Sequence, residues 1–237
     1  MDENENILEV RDLRVRYHDG TEALHGVSLG VGAGEKVALI GPNGAGKTSL
    51  LLAIMRGVRF TGRIAVEGRE LSARTAEAAR GRCGMTFQEA DDQLFMPTLL
   101  EDVAFGPLNQ RLGAAQAEEQ ARAAIAAVGL QGLEHRSAHH LSGGQKRLAS
   151  LATILSMQVK LLLLDEPGAN LDFRSRRRLI ELLGARPEAM LLATHDLDMI
   201  RRLCRRVIVL DQGVVAADGG TEGILSDSAL LASHGLA

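Results

Sequence analysis

The sequence is short of several things that would point to a particular chemistry. Its 237 residues include two cysteines, Cys83 and Cys204, far apart and without metal-ligand spacing. They are expected to be reduced, structural residues. The formal net charge is −3, which gives no electrostatic footprint for nucleic acid. Basic residues do cluster in "RSRRRL" (174–179) and "RRLCRR" (201–206), but in a balanced sequence such runs read as solvated helix faces. No apolar run approaches the ~20 residues a membrane helix needs; "VKLLLL" and "AMLLAT" are strand-sized. The opening "MDENENILEV" is acidic where a signal peptide is basic and then apolar. Internal repeats and low-complexity linkers are lacking too. What remains is a globular balance, 46% hydrophobic and 24% charged, that supports one domain or a domain with an inserted lobe.

Periodicity orders the chain. "ILEVRDLRVRY" alternates as a half-buried antiparallel strand, and "ALHGVSLGV" reads as a second. "KVALIG" is a short continuous apolar strand of the kind buried on both faces, running into "GPNGAGKTSLLLAIMRG", a glycine loop and a helix. "GRIAVEG" and "RCGMTFQ" are further strands. Residues 98–140 change character, with the alanine-rich helical stretch "AAQAEEQARAAIAAVGL" and no strand pattern. Strand and helix then resume through "KLLLLDEP", "RSRRRLIELLG", "AMLLATH" and "LDMIRRLC", ending in the hairpin "RVIVLDQGVVAADG" and a short helix. Such alternation predicts an α/β fold with an open parallel sheet, and the stretch at 98–140 fits an inserted helical lobe.

"GPNGAGKT" (Gly41–Thr48) fits the phosphate-loop pattern G-x-x-x-x-G-K-[ST], and it lies between a predicted buried strand and a predicted helix, as that motif requires. Gly41, Gly44 and Gly46 let the backbone curl so that successive N–H groups face phosphates. Lys47 supplies charge to the β- and γ-phosphates, and Thr48 offers a hydroxyl to Mg²⁺. "LLLLDEP" places Asp165 and Glu166 at the carboxyl end of an apolar strand, where open α/β sheets put ligands. Asp165 is the candidate Mg²⁺ holder, directly or through water, and Glu166 the candidate general base. His195, after another buried strand, is expected at the same rim as a γ-phosphate contact. Gln88, ending "CGMTFQ", is a neutral group able to touch Mg²⁺ and water. "LSGGQKRLAS" (141–150) adds a second anion-binding device, a Ser beside a Gly pair at a helix start.

With these pieces in order, the sequence resembles the ATPase subunit of an ATP-binding cassette (ABC) transporter, from Tyr17 to about Gly219. The resemblance implies a nucleotide-binding core with an antiparallel β subdomain. It also implies an inserted helical subdomain at about 90–158 and a short C-terminal helix at about 221–237, in a single ATPase domain spanning 1–237. It implies ATP and Mg²⁺, with Tyr17 stacking on adenine and Gly41, Pro42, Asn43, Gly44, Ala45, Gly46, Lys47, Thr48 and Ser49 holding the nucleotide. Thr48, Gln88 and Asp165 are the implied Mg²⁺ ligands. Gln88, Glu166 and His195 are the implied catalytic residues. "LSGGQ" is the family signature; Ser142, Gly143, Gly144 and Gln145 are implied to bind the γ-phosphate of ATP held by a partner subunit in a head-to-tail dimer. Asp172, ending "GANLD", matches the loop that couples the two sites. Gly168 departs from the family's usual Ser or Thr, which implies a more mobile coupling loop.

A finer resemblance follows Gln88. "FQEADDQLFMPTLLEDVAFGPLN" (87–109) is similar to ATPases of energy-coupling-factor importers, especially the cobalt and nickel group. This implies a homodimer peripheral to the cytoplasmic face of the cell membrane. Its partners would be a transmembrane coupling subunit and a substrate-binding membrane protein, with no nucleic acid. Asp91 and Asp92 are placed to meet arginines of the coupling subunit, or else cap the next helix or face solvent. Only "TEGILSDSALLASHGLA" stands where many such ATPases carry a helical extension, so permanent dimerisation without ATP is not implied. The alternatives are a vitamin (biotin-type) or other ABC transporter, and a soluble ABC ATPase acting on DNA or ribosomes.

Overall fold

The computed structural model describes residues 6–236 except 73, 76, 78–80 and 88. The chain divides into two compact units: Met1–Cys83 with Lys160–Asp165 and Pro187–Ala237, and Gly84–Val159 with Glu166–Arg186.

The first unit is built on two sheets. In one, β1 (Asn6–Arg16) pairs antiparallel with β2 (Glu22–Gly32) and β4 (Phe60–Val66), and β5 (Arg69–Glu70) completes the order β2-β1-β4-β5. Leu8, Val10, Leu13 and Val15 of β1 are all buried, although strict alternation would turn the last two outward. An irregularity in register between Val10 and Leu13, with Asp12 at φ 44°, adds the extra residue that keeps one apolar face.

The second sheet holds the continuous apolar runs. β3 (Lys36–Ile40), β7 (Leu161–Asp165), β8 (Ala189–Ala193) and β9 (Arg206–Asp211) are parallel, and β10 (Val214–Gly220) returns antiparallel to β9, giving the order β10-β9-β3-β8-β7. The sixth strand, β6 (Cys83–Thr86), carries the chain from the first unit into the second. Leu161–Leu164 and Leu191–Ala193 are at most 1% exposed, the burial expected of parallel strands covered on both faces. The α/β fold class read from the sequence is the observed one. α1 (Lys47–Ile54) follows β3, and α6 (Leu197–Leu203) follows β8. Where one C-terminal helix was expected there are two, α7 (Thr221–Ser226) and α8 (Ser228–Ser233). The break is at Asp227, whose side chain accepts the Leu230 N–H (2.9 Å) and so starts a new helix. Both cysteines are buried. Burial pushes each thiol up to about 12, which makes them unreactive packing residues.

The second unit is helical: α2 (Leu99–Asn109), α3 (Ala114–Ala127), α4 (Gly143–Leu155) and α5 (Phe173–Ala185). α3 buries Ala117, Ala121, Ala124 and Ile125, one helical face of mostly small residues. α2 contains Pro107, whose ring nitrogen cannot bond the carbonyl of Val103. Ser156 Oγ donates to that carbonyl instead (2.8 Å). The basic stretch of α5 is solvated, as the sequence suggested: Leu179, Ile180 and Leu183 face inward while Arg177 pairs with Glu181 one turn on (3.0 Å). Among the described residues no helix is long and apolar enough to cross a membrane.

Candidate functional site

The first unit gathers a phosphate cradle at the carboxyl edge of its parallel strands. Leu39, Asp165 and Ala193 stand level in register, so the loop after β3, the last residue of β7 and the segment after β8 share one rim. The loop Gly41–Gly46 folds tightly against the β9–β10 turn. A Cβ on Gly41 would stand 2.0 Å from the Leu210 carbonyl oxygen, so no other residue fits there. The Gly213 N–H donates to the Ala45 carbonyl (3.1 Å) and fixes the loop from outside. Gly46 caps α1 in the left-handed conformation, at φ 102°, with no side-chain cap. The first-turn N–H groups of α1 therefore have no side chain competing for them, which suits an anion.

Lys47 Nζ donates to the carbonyls of Gly41 (2.6 Å) and Pro42 (3.0 Å), holding its ammonium group over the loop. Thr48 Oγ1 donates to Asp165 Oδ2 at 2.7 Å. These two residues, 117 apart in sequence, form a hydroxyl–carboxylate pair of hard oxygen donors, and Asp165 is 2% exposed. That donor set fits Mg²⁺. Tyr17 directly follows β1, with its hydroxyl 3.0 Å from Ser49 Oγ and its ring partly exposed. His195 is exposed two residues past β8; Asp196 beside it caps α6 by accepting the Met199 N–H (3.0 Å).

The second unit carries the other predicted residues. Ser142 is the N-cap of α4 in a reciprocal capping box: Gln145 N–H donates to Ser142 Oγ (3.3 Å), and Ser142 N–H donates to Gln145 Oε1 (2.9 Å). In accepting that bond, Ser142 Oγ keeps its own proton available for an anion. Ser142 and Gly143 are exposed. Glu166 has φ 45° and Asn170 φ 62°, left-handed conformations that are uncommon outside glycine and frequent at functional turns. Bonds from Ala169 N–H to the Glu166 carbonyl (3.1 Å) and from Leu171 N–H to the Gly168 carbonyl (3.3 Å) define this turn. Asp172 caps α5, accepting from Ser175 N–H (2.8 Å) and Oγ (3.0 Å); these bonds hold its carboxyl below the usual range.

Asp91 and Asp92 lie on a single 3₁₀ turn, Ala90–Asp92. Asp91 is paired with Lys146 of α4 (2.5 Å), whereas Asp92 has no side-chain partner among the described residues. Gln88 lies outside the described residues. Its neighbour Phe87 is gripped on both sides: its N–H donates to Gln93 Oε1 (3.2 Å), and its carbonyl accepts from the buried Arg147 (2.7 Å). Gln93 Nε2 in turn donates to the Ser150 carbonyl (2.9 Å) and Thr153 Oγ1 (2.6 Å) of α4. Sequence reasoning singled out neither Gln93 nor Arg147; their positions in "DDQLF" and behind "LSGGQ" were the only signals. Past this clamp, Phe95 and Phe105 form an exposed edge-to-face pair with ring centroids 5.1 Å apart. Its mount is Asp102, 3% exposed, whose Oδ1 accepts the N–H groups of Phe95 and Met96, each at 2.9 Å. Burial pushes the Asp102 carboxyl up against the pull of those two bonds, and Oδ2 has no hydrogen-bond partner among the described residues.

Comparison with known proteins gives the family. Residues 24–169 match the family model described as ABC transporter. A relative from Gloeobacter violaceus that bears the name of an ABC transporter ATP-binding protein is 49% identical over 97% of this chain and 95% of its own. The energy-coupling factor transporter ATP-binding protein EcfA of Methanocaldococcus jannaschii is 39% identical over 93% of this chain and 81% of its own. Among solved structures, cbiO1 of Clostridium perfringens, described as part of the ABC transporter complex cbiONQ, superposes with a TM-score of 0.81 at 30% identity, covering 97% of this chain and 94% of that one. The chain therefore belongs to the ABC transporter ATP-binding proteins, ATPases that act on ATP with Mg²⁺.

Proposed function

We propose that this ATPase drives an energy-coupling-factor importer for cobalt or nickel ions, as a head-to-tail dimer of two copies on the cytoplasmic face of the cell membrane. The observation that carries the dimer is the N-terminus of α4. It offers an exposed serine hydroxyl and glycine backbone to an anion, yet the chain's phosphate loop already has its own lysine and Mg²⁺-type donors. A second anion site of this kind suits a phosphate presented by another chain. The importer type rests on the resemblance over 87–109 and is supported by the likeness to EcfA and cbiO1.

In this reading, the nucleotide is bound through Tyr17 on the base and residues 41–49 on the phosphates. Lys47 exchanges its two loop carbonyls for phosphate oxygens. Thr48 and Asp165 would hold Mg²⁺, with Gln88 as a further ligand, and the bound ion would supply positive charge to offset that of the phosphates. Glu166 takes the proton of the attacking water, and His195 contacts the γ-phosphate. Ser142 of the second copy donates to that same phosphate. ATP thus favours the closed dimer by touching both chains, and hydrolysis removes the bridge. Asp92 offers an open carboxylate to arginines of the coupling subunit, and Asp91 would share its charge between them and Lys146. The helical subdomain at about 90–158, with the Phe95–Phe105 pair on it, is the docking part of the single ATPase domain.

Two measurements test this. Glu166→Gln should accumulate an ATP-bound dimer by light scattering, and a variant that stays monomeric with saturating ATP would refute the mechanism. Gentle purification of the tagged protein from native membranes should recover a transmembrane coupling subunit and a small substrate-binding membrane protein. Recovery of a different permease would overturn the importer type and keep the motor.

A further inference from the structure

The exposed face that carries Ser142 does not end with the signature. Asn170 and Leu171 lie against Gly144, where a Cβ would stand 3.2 Å from the Asn170 carbonyl oxygen and 3.5 Å from Leu171 Cδ2. Ser142, Gly143, Asn170 and Asp172 are all exposed. Directly after them Phe173 opens α5 with 78% of its surface exposed, more than any other large hydrophobic residue described. Single exposed apolar residues are ordinary; the place and mounting of this one are not. Phe173 takes no part in the buried face of α5, which is Leu179, Ile180 and Leu183. The two bonds that Asp172 accepts from Ser175 fix the first turn of the helix. The ring is thus carried on a rigid backbone, which lowers the ordering cost of using it as a contact.

We propose that Phe173 anchors the ATP-closed dimer by burying its ring on the surface of a second copy of this chain. The occupant is a second copy because Phe173 directly follows Asn170–Asp172, the segment whose Asn170 and Leu171 lie against the signature at Gly144, and in the head-to-tail reading Ser142 faces the phosphate that the second copy holds. This rests on the head-to-tail reading above. In a two-fold dimer the contact is made twice. An aromatic ring taken out of water at such a junction is the usual form of a binding hot spot.

The test is made in the Glu166→Gln background with ATP, by analytical ultracentrifugation across a concentration series. Because both copies of the contact are lost, Phe173→Ala should raise the dimer dissociation constant about a hundred- to ten-thousandfold, and Phe173→Leu should recover most of the loss. Thermal melting should stay nearly unchanged for both, because 78% of the residue is already exposed. An unchanged dissociation constant for Phe173→Ala, in a background where Glu166→Gln dimerises normally, would overturn the anchor and leave the head-to-tail dimer standing. If Glu166→Gln itself stays monomeric, the dimer reading fails and the anchor falls with it. A melting temperature that drops together with dimerisation would assign Phe173 to the fold and also overturn the proposal.

Discussion

Ser142 holds two jobs that substitution can pull apart. As the N-cap of α4 it accepts the Gln145 N–H, and as a candidate ligand its own proton is free to donate. Ser142→Ala removes both, while Ser142→Asp keeps the cap, since Asp serves an N-cap as well as Ser and its charge suits a helix N-terminus. Loss of the cap costs about 1 kcal/mol, which for a chain of this size lowers Tm by roughly 2–4 °C. Loss of a hydroxyl donor to a charged phosphate costs about 1.5–3 kcal/mol, or roughly ten- to a hundredfold in hydrolysis. A carboxylate about 4 Å from a phosphate charge, at an effective dielectric of about 20, instead costs about 4 kcal/mol, roughly a thousandfold. The two rankings therefore cross. Melting should place wild type and Ser142→Asp together above Ser142→Ala, whereas ATP hydrolysis should place Ser142→Asp far below Ser142→Ala. Neither variant should lose binding of a fluorescent ATP analogue to its own phosphate loop. Hydrolysis that simply follows melting temperature, or Ser142→Asp working at the wild-type rate, would refute the placing of Ser142 on a phosphate.

Asp102 gives a pH prediction whose sign is fixed by its raised pKa. A carboxyl raised in the folded state favours folding when protonated, so its contribution is lost as pH rises from the ordinary carboxyl range through the folded value. Asp102→Asn keeps an acceptor for the Phe95 and Met96 N–H groups without the buried charge. It should melt above wild type at pH 8, with the gap closing as pH falls towards 4; a gap that widens on acidification would refute this. Ser156→Ala should cost about 1–3 kcal/mol, because the Val103 carbonyl is left without a donor. Adding Pro107→Ala returns an N–H at that turn and should recover part of the loss, so a double-mutant cycle in denaturant showing no coupling would refute the substitution of one donor for the other.

The parts of this molecule legible in its sequence are those written in local periods and short spacings. The runs "KVALI", "LLLLD" and "AMLLA" announced their double burial, and the Gly spacing of 41–46 announced its loop. Asp165 was placed by the strand ahead of it, while the bond that Thr48 makes to it across 117 residues was not written in any local pattern. The break at Asp227 was hidden because the apolar pattern runs through it while the capping side chain interrupts it. The bulge at Asp12 was hidden in the same way: a one-residue slip in alternation reads as a weak strand until the partner strand shows which face is kept.

What stayed illegible are exchanges of hydrogen-bonding partners between segments that share no pattern. Pro107 in "EDVAFGPLN" argues against a helix on local grounds, and only the hydroxyl of Ser156, 53 residues from Val103, removes the objection. Arg147 reads as one more surface cation behind the signature, yet it is 6% exposed and spends its charge on the Phe87 carbonyl 60 residues away. With Gln93 it ties the segment next to position 88 directly to α4, whose first residues hold the signature. A shift of α4 upon meeting a phosphate would therefore be carried to Phe87 through these bonds rather than through flexible chain. The same helix carries the anion site proposed at its start and the clamp on Phe87 along its length, a link that spacing alone could not express.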